Sequence, residues 1–263
     1  MKAFLINLDH RTDRLAEAAA TLKKLNIPFE RVSAIDARTV NISKLIDWKK
    51  AFIFDYCRAP YLGQIGVYES HRKIWQKILD ENLDQALVFE DDVIPLDFDE
   101  RFLNISLKEY GLDQLRLEEL ANPVLHPLPT NDMRKNIFNR MASSVPTYGS
   151  AAYIMTNEGA RKFLSAGIFW FNIDHFDLWE RVVNAKTAVL RPNLFVQSDS
   201  RSDINVSKKD ILNRVQINFF AKSSNLQMSF ADRLKITLLK ISVLLLPWSF
   251  RTALRKKLID SKI

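Results

Sequence analysis

The sequence predicts an α/β fold, a mixed sheet flanked by helices, followed by a basic amphipathic C-terminal helical tail. Three observations carry this. A strand–helix–strand order opens the chain, the apolar run ALVF at residues 86–89 ends in three consecutive acids, and composition changes near residue 225. With 263 residues, 47% of them hydrophobic and 26% charged, the chain can bury a substantial core and is neither disordered nor fibrous in composition. No internal repeat or low-complexity run interrupts it.

Residues 2–8, KAFLINL, read as the first strand and DHRTD as a turn. Leu15, Ala18, Ala19, Leu22 and Leu25 then recur at helical spacing, with Thr12 or Asp13 as N-cap. Pro28 stops that helix, and residues 29–35, FERVSAI, read as the second strand. This βαβ unit implies parallel strands joined by a right-handed crossover. A second helix follows the glycines of LGQIGVYESHRKIWQKILDEN, with Val67, Tyr68, His71, Ile74, Trp75, Ile78 and Leu79 on one stripe. It leads into the strand of ALVFEDDV. Residues 97–146 are polar and irregular, with Pro123, Pro127 and Pro129 close together, and read as an insertion with short helices that shapes a substrate or partner surface. The stretch YGSAAYIMTNEGARKFL resumes with a strand, Thr156 as N-cap and a helix to about Leu164. FWFNIDHFDLWERVV and TAVLRPNLFVQSDSRSDI complete a body of residues 1–225, and residues 226–263 form the tail.

The net charge of +7 belongs to that tail. Between Arg233 and Lys257 there are seven basic residues and no acid, so the rest of the chain carries 31 basic against 31 acidic residues. A nucleic-acid-binding domain spreads its charge over a folded face, so no nucleic-acid partner is expected. Trp248 and Phe250 sit in LLKISVLLLPWSF between the basic residues, a composition suited to lying on an anionic membrane surface. The plainer reading is a helix packed on the body. No stretch approaches the roughly 18 apolar residues of a membrane span, and the N-terminal apolar run is too short for a signal peptide. The single cysteine, Cys57, allows no intramolecular disulfide and no cysteine-based zinc site, and fits a reducing compartment. The expected location is cytoplasmic, peripheral on the inner membrane.

Glu90, Asp91 and Asp92 stand directly behind a buried strand, where adjacent negative charges are costly unless a cation or donors neutralise them. Either they point into water, or a hard divalent ion such as Mn²⁺ or Mg²⁺ belongs there. Alternation along an extended chain would put Glu90 and Asp92 on one side and Asp91 on the other. His71, on the apolar stripe of its helix, reads from spacing alone as a hydrogen-bonded core residue, with Ser70 beside it. Asp174, in NIDHFD behind Phe169, Trp170 and Phe171, has the setting of a general base beside an aromatic wall, with His175 next to it. The alternative is a loop whose acids cap the next helix, Asp177 above all. Asn7, Asp9, Arg11 and Arg14 cluster after the first strand, where they either hold phosphate or uracil oxygens or are solvated turn residues. No GxSxG, P-loop or GxGxxG motif occurs.

FLINLDHRTDRL, LGQIGVYESHRKIW, ALVFEDDV and AAYIMTNEGARKFL…IDHFDLW, in this order and separation, resemble glycosyltransferase family 25 over roughly residues 1–205. The resemblance implies a GT-A-like, Rossmann-type fold, a UDP-sugar donor such as UDP-galactose, a divalent cation and a lipooligosaccharide or other glycan acceptor. It maps the family's acidic motif onto Glu90, Asp91 and Asp92, with Glu90 and Asp92 as metal ligands and Asp91 toward the donor. Its Ser-His pair falls on Ser70 and His71, its Asp-His pair on Asp174 and His175, and its Asn-Leu-Asp with a following Arg on Asn7, Leu8, Asp9 and Arg11. Gln64 stands where a Glu is usual. The resulting expectation is a metal-dependent, inverting hexosyltransferase, with Asp174 and His175 catalytic and Asn7, Asp9, Arg11, Arg14, Ser70, His71 and Asp91 binding donor. The rival readings are a metal-dependent phosphoesterase using the same acids, which would need more ligands than 4 His help supply, and a non-catalytic peripheral membrane adaptor.

Overall fold

The computed structural model describes residues 1–55, 60–96, 100–118, 125–127, 138–141, 149–190, 193–198 and 229–260. The readings of Cys57, Pro123 and Pro129 lie outside these residues. Strand β1 (Lys2–Asn7) pairs in parallel with β2 (Phe29–Ser33) on one side and β3 (Gln85–Glu90) on the other. Helix α1 (Thr12–Lys24) makes the first crossover, as the βαβ pattern requires. Arg11, not Thr12 or Asp13, is its N-cap residue, and Asp13 falls in the first turn instead. β2 ends at Ser33, two residues before the sequence reading, because Ile35 N donates to Ser70 Oγ at 2.8 Å and draws the chain off the sheet.

Helix α2 (Trp48–Phe54) precedes α3 (Leu62–Asp80), and Gln64 Oε1 accepts from Tyr61 N at 3.1 Å across the first turn of α3. A Gln therefore does there the capping work open to a Glu. Gly66 lets α3 approach the loop after β2, since a Cβ at that position would stand 2.5 Å from Ile35 O. After β3 come β4 (Val93–Pro95), β5 (Gln114–Arg116), β6 (Leu125–Pro127), β7 (Phe138–Met141), β8 (Ala152–Thr156), β9 (Thr187–Leu190) and β10 (Phe195–Gln197). Eight of these strands form one mixed sheet in the order β2-β1-β3-β8-β5-β9-β7-β6, while β4 and β10 make a separate antiparallel ribbon. The antiparallel pairing of β8 with β3 and β5 sets the start of β8 beside the carboxyl ends of the other two.

Strand alternation divides the core in two. Phe4, Ile6, Val88, Tyr153 and Met155 face a layer of α2, α3, α4 (Asn157–Ser165) and α5 (Phe176–Val183). Ala3, Leu5, Leu87, Phe89 and Ile154 face α1 and the β4–β10 ribbon. Thr156 caps α4 by accepting from Gly159 N at 2.9 Å, as its position predicts. Trp75, Trp179, Phe163 and Tyr68 interlock above β8, with Phe163 and Trp179 stacked at 4.1 Å. Truncating any one of these rings to Ala would cost about 3–5 kcal/mol.

One sequence expectation needs correction. Within residues 97–146 a short helical turn stands as expected at Leu107–Tyr110, but β5 lies inside the sheet between β8 and β9, so this part of the span belongs to the body. The tail packs on the body, as the plainer of its two readings has it. Its helices α6 (Phe230–Leu244) and α7 (Trp248–Asp260), bent by 111°, bury Ile236, Val243 and Ile259 in the core beside α2 and α5. Among the described residues no single helix is long and apolar enough to cross a membrane.

Candidate active site

The carboxyl ends of β1 and β3 open into a cleft walled by α3, at the edge where parallel sheets take ligands. Asn7, Arg14, Ser70, His71, Glu90, Asp91 and Asp92 all line it, together with Asp36 and Arg38. Asp9, Arg11, Asp174 and His175 do not. Asp9 is exposed and pairs with Arg31 and Ser33, and Arg11 pairs with Asp13, so both are turn residues by contact.

The acids are not arranged by simple alternation, because β3 ends at Glu90 and residues 91–92 form a turn. Asp91 and Asp92 therefore both meet Arg14, at 3.0 and 2.7 Å, and Asn7 Nδ2 also donates to Asp91 at 2.7 Å. Glu90 faces α3, where its Oε1 meets His71 Nε2 at 3.1 Å and accepts from Ser150 Oγ at 2.6 Å. The polar atoms of Ser70 and His71 are held by the protein itself. Ser70 Oγ donates to Gly66 O at 2.6 Å, and His71 Nδ1 lies 2.7 Å from Tyr153 OH.

Burial and the charges of Glu90 and Asp91 outweigh Arg14 and push the Asp92 carboxyl up to about 7. Burial also raises Asp91, against Asn7 and Arg14. For Glu90 burial pushes upward too, but the hydrogen bonds from His71 and Ser150 and the charge of Arg14 leave it below the ordinary value. Asp174 lies in the loop before α5 and is raised by burial, with His175 and Arg116 opposing and the charge of Glu90 adding to the rise. His175 meets the Phe54 ring edge-on at 6.2 Å, but Phe169, Trp170 and Phe171, the aromatic wall expected beside Asp174, are each only 2% exposed, so these rings pack the core, as the alternative reading has it, and present no face to a sugar.

Glu118 is a site residue that the sequence reading missed. It follows β5, is fully buried, and accepts from Ala151 N at 2.9 Å. Burial raises it to about 7, against Ala151 N and Arg116, and the charges of Glu90 and Asp92 act in the same direction as burial. Gly149, at φ +112°, passes over it so closely that a Cβ there would stand 2.5 Å from Glu118 Oε1. The available signal was RLE, an apolar residue and then an acid at a strand end, the same pattern as VFE before Asp91.

Three buried carboxylate oxygens, Asp92 Oδ1, Glu118 Oε2 and Asp174 Oδ1, have no hydrogen-bond partner among the described residues. Orphaned anionic oxygens are what a cation would satisfy. Among the described residues no cluster of three or more His, Cys, Asp or Glu stands ready to hold a metal ion. An ion held by one or two carboxylates and completed by substrate phosphates needs no such cluster, and the residues present fit that kind of site.

A family model described as glycosyltransferase family 25 (LPS biosynthesis protein) matches residues 1–174. Procollagen galactosyltransferase 2 of Homo sapiens is 29% identical over 175 residues, covering 63% of this chain and 28% of its own. The Mus musculus protein of that name is 28% identical over 184 residues, with the same coverage. Inactive glycosyltransferase 25 family member 3 of Mus musculus is 26% identical over 171 residues, covering 63% and 29%. The matched part of each of these relatives is thus under a third of its length. Among solved structures, a glycosyltransferase involved in the glycosylation of the major capsid of PBCV-1 aligns with a TM-score of 0.40 and 11% identity, over 76% of this chain and 93% of that one. Galactosyltransferase LgtC in complex with donor and acceptor sugar analogs aligns with a TM-score of 0.38 and 12% identity, over 96% and 99%. Neither alignment is close enough to position a ligand.

Proposed function

Because the chain belongs to glycosyltransferase family 25, we propose that it moves galactose from UDP-galactose to a lipooligosaccharide glycan, with inversion at the sugar carbon. The observation that supports this best is the acidic end of β3, set in the cleft beside Arg14 and Asn7 with an orphaned carboxylate oxygen. Galactose rests on the relatives named galactosyltransferases, and the acceptor on the family's description. A relative named inactive matches almost as well, so activity in this chain depends on the acids and Arg14 of its own cleft.

A bound Mn²⁺ or Mg²⁺ would supply positive charge against the donor diphosphate and the departing UDP. Asp92, through Oδ1, and Glu90, through Oε2, would hold it. Arg14 and Asn7 orient the acidic turn, and Arg38, which lines the same cleft and is held by Asp36 at 2.7 Å, brings a second guanidinium to the site. Asp174 is the proposed base: its raised carboxyl takes a proton from an acceptor hydroxyl more readily than an ordinary carboxylate does, and its Oδ1 has no competing donor. His175 follows Asp174 directly as the N-cap residue of α5 and meets the Phe54 ring, which ties the loop carrying Asp174 to the body.

Purified protein with Mn²⁺, a panel of UDP-sugars and a truncated lipooligosaccharide tests the reading. Release of UDP with UDP-galactose, and a glycan product heavier by one hexose, is the expected result. No release with any UDP-sugar would overturn it.

We also place this reaction at the cytoplasmic face of an inner membrane, with the tail lying on anionic lipid. Leu234, Leu238, Ile241 and Leu245 fall at helical spacing on the side of α6 opposite Ile236 and Val243, and all four are exposed. Lys235 and Lys240 flank that stripe, and Trp248 and Phe250 extend it past the bend. An apolar stripe between cations suits the headgroup boundary. Not all the basic residues serve it, since Arg255 lies over the Phe54 ring of the body at 5.2 Å.

A further inference from the structure

We infer that Tyr153 is a positioning residue for the site: it holds His71 as the Nε2–H tautomer and thereby fixes which oxygen of Glu90 is offered to the cleft. The inference rests on the transferase reading for what Glu90 does, but the hydrogen-bond chain behind it stands independently.

The direction of the chain follows from its one unambiguous donor. Trp75 Nε1–H can only donate, and it meets Tyr153 OH at 3.0 Å. The phenol oxygen is therefore an acceptor toward Trp75, and its single proton is left for the 2.7 Å contact with His71 Nδ1. Nδ1 accepts, so the ring proton sits on Nε2, which faces Glu90 Oε1 at 3.1 Å. In the opposite tautomer an Nε2 lone pair would face a carboxylate. There, and in the imidazolium, Nδ1–H and the indole N–H would both point at the phenol oxygen, stranding the phenol proton. Trp75, Tyr153 and His71 are all fully buried, and a stranded buried donor costs about 1–3 kcal/mol.

The fold holds the chain rigidly. His71 and Trp75 are four residues apart on one face of α3, and Tyr153 points up from the middle of β8. The His71 and Tyr153 rings stack at 5.5 Å, and Trp75 is wedged edge-on against Phe163, Tyr68 and Trp179. At the other end, Ser150 Oγ donates to the same Glu90 oxygen at 2.6 Å. Two donors on Oε1 fix the carboxylate, and Oε2 has no hydrogen bond among the described residues. His71 thus works from behind Glu90, and neither of its nitrogens is left for a ligand.

Histidine-¹⁵N protein, read by long-range ¹H–¹⁵N correlation and assigned against His71→Gln, should show His71 with a protonated Nε2 and an unprotonated Nδ1. An Nδ1–H tautomer or an imidazolium in the wild type would overturn the proposal, whether or not any variant folds. Tyr153→Phe should mix the tautomers and lower kcat by about 10-fold while leaving the KM for UDP-sugar within about 2-fold. A folded Tyr153→Phe protein with unchanged tautomer and kcat would equally overturn it. His71→Gln, whose Oε1 can accept from Tyr153 and whose Nε2 can donate to Glu90, should keep more activity than His71→Leu. Equal loss in the two would count against the relay. Wild-type protein inactive on every UDP-sugar would remove the transferase reading, yet the tautomer measurement would still decide this one.

Discussion

The molecule handles charge in opposite ways in two regions. At the end of β3 it buries carboxylates against Arg14, Asn7 and His71 and leaves an oxygen of Asp92 without a hydrogen bond among the described residues, as it does for Glu118 after β5 and Asp174 before α5. In α6 and α7 it spreads cations beside apolar side chains that are themselves exposed. Buried charge is costly, so its unsatisfied atoms point to a specific ligand of opposite sign. Exposed charge costs almost nothing, and only in combination with the apolar stripe does it select a broad surface. The first region should therefore fail through single atoms, the second only by degrees.

The sharpest test of that contrast is Asp92→Asn, which removes one charge and keeps the shape. Transfer should fall at least about 10³-fold, and Mn²⁺ should no longer raise the melting temperature. Full activity in this variant, or in excess chelator, would end the metal assignment. Asp174→Asn should lower kcat by about 10²-fold or more with UDP-sugar affinity nearly intact. If donor affinity collapses instead, Asp174 binds the donor and the base lies elsewhere.

What the sequence made legible follows the range of the interactions. The βαβ unit, the helix from Leu62 and the strand ending at Glu90 are local patterns, and each stands where its period and turn residues put it, whereas Asp91 and Asp92 leave the strand's alternation in a turn. Glu118 was hidden because its strand is only Gln114–Arg116, too short for a period, and it gains meaning only beside Ala151, 33 residues away. Likewise His71 meets Tyr153 across 82 residues, so spacing identified a hydrogen-bonded core histidine but not its partner. The tail misled differently. Apolar residues on both sides of α6 read as one amphipathic surface, and sequence does not say which side the body covers.

Buried acids at the site also set a pH dependence. Asp92 and Glu118 titrate near 7 in the folded protein but near 3.8 and 4.5 when unfolded. Between those values the native state holds protons that the unfolded chain has released, so stability falls as pH rises and the loss is complete above about 7. Asp91 and Asp174, also raised by burial, act with the same sign. Glu90, lowered below 4.5, contributes only at more acid pH. Metal-free protein should thus lose on the order of 3 kcal/mol per strongly raised acid between pH 5 and 8. Glu118→Gln should flatten that slope in urea titrations. An identical slope in wild type and variant would show that Glu118 is ionised without penalty, and the acidic pocket would lose its unusual character.

The smallest effect belongs to the tail, and it needs a gentle change. Deleting residues 226–263 would strip Ile236, Val243 and Ile259 from the core, so lost membrane binding there could come from lost structure. Leu238→Gln with Leu245→Gln avoids this, because these side chains are 58% and 79% exposed and touch little of the body. Each should remove about 1 kcal/mol of apolar contact with the headgroup boundary, or about 30-fold in vesicle affinity for the pair. The melting temperature and transfer to a short soluble acceptor should be unchanged. Lys240→Gln should cost about 1 kcal/mol on anionic vesicles at low salt and almost nothing on neutral ones. If the doubly substituted protein sediments with anionic vesicles as well as wild type, the outward face of α6 is not the membrane contact. If binding falls equally on neutral and anionic vesicles, the cations play no part and the stripe acts alone.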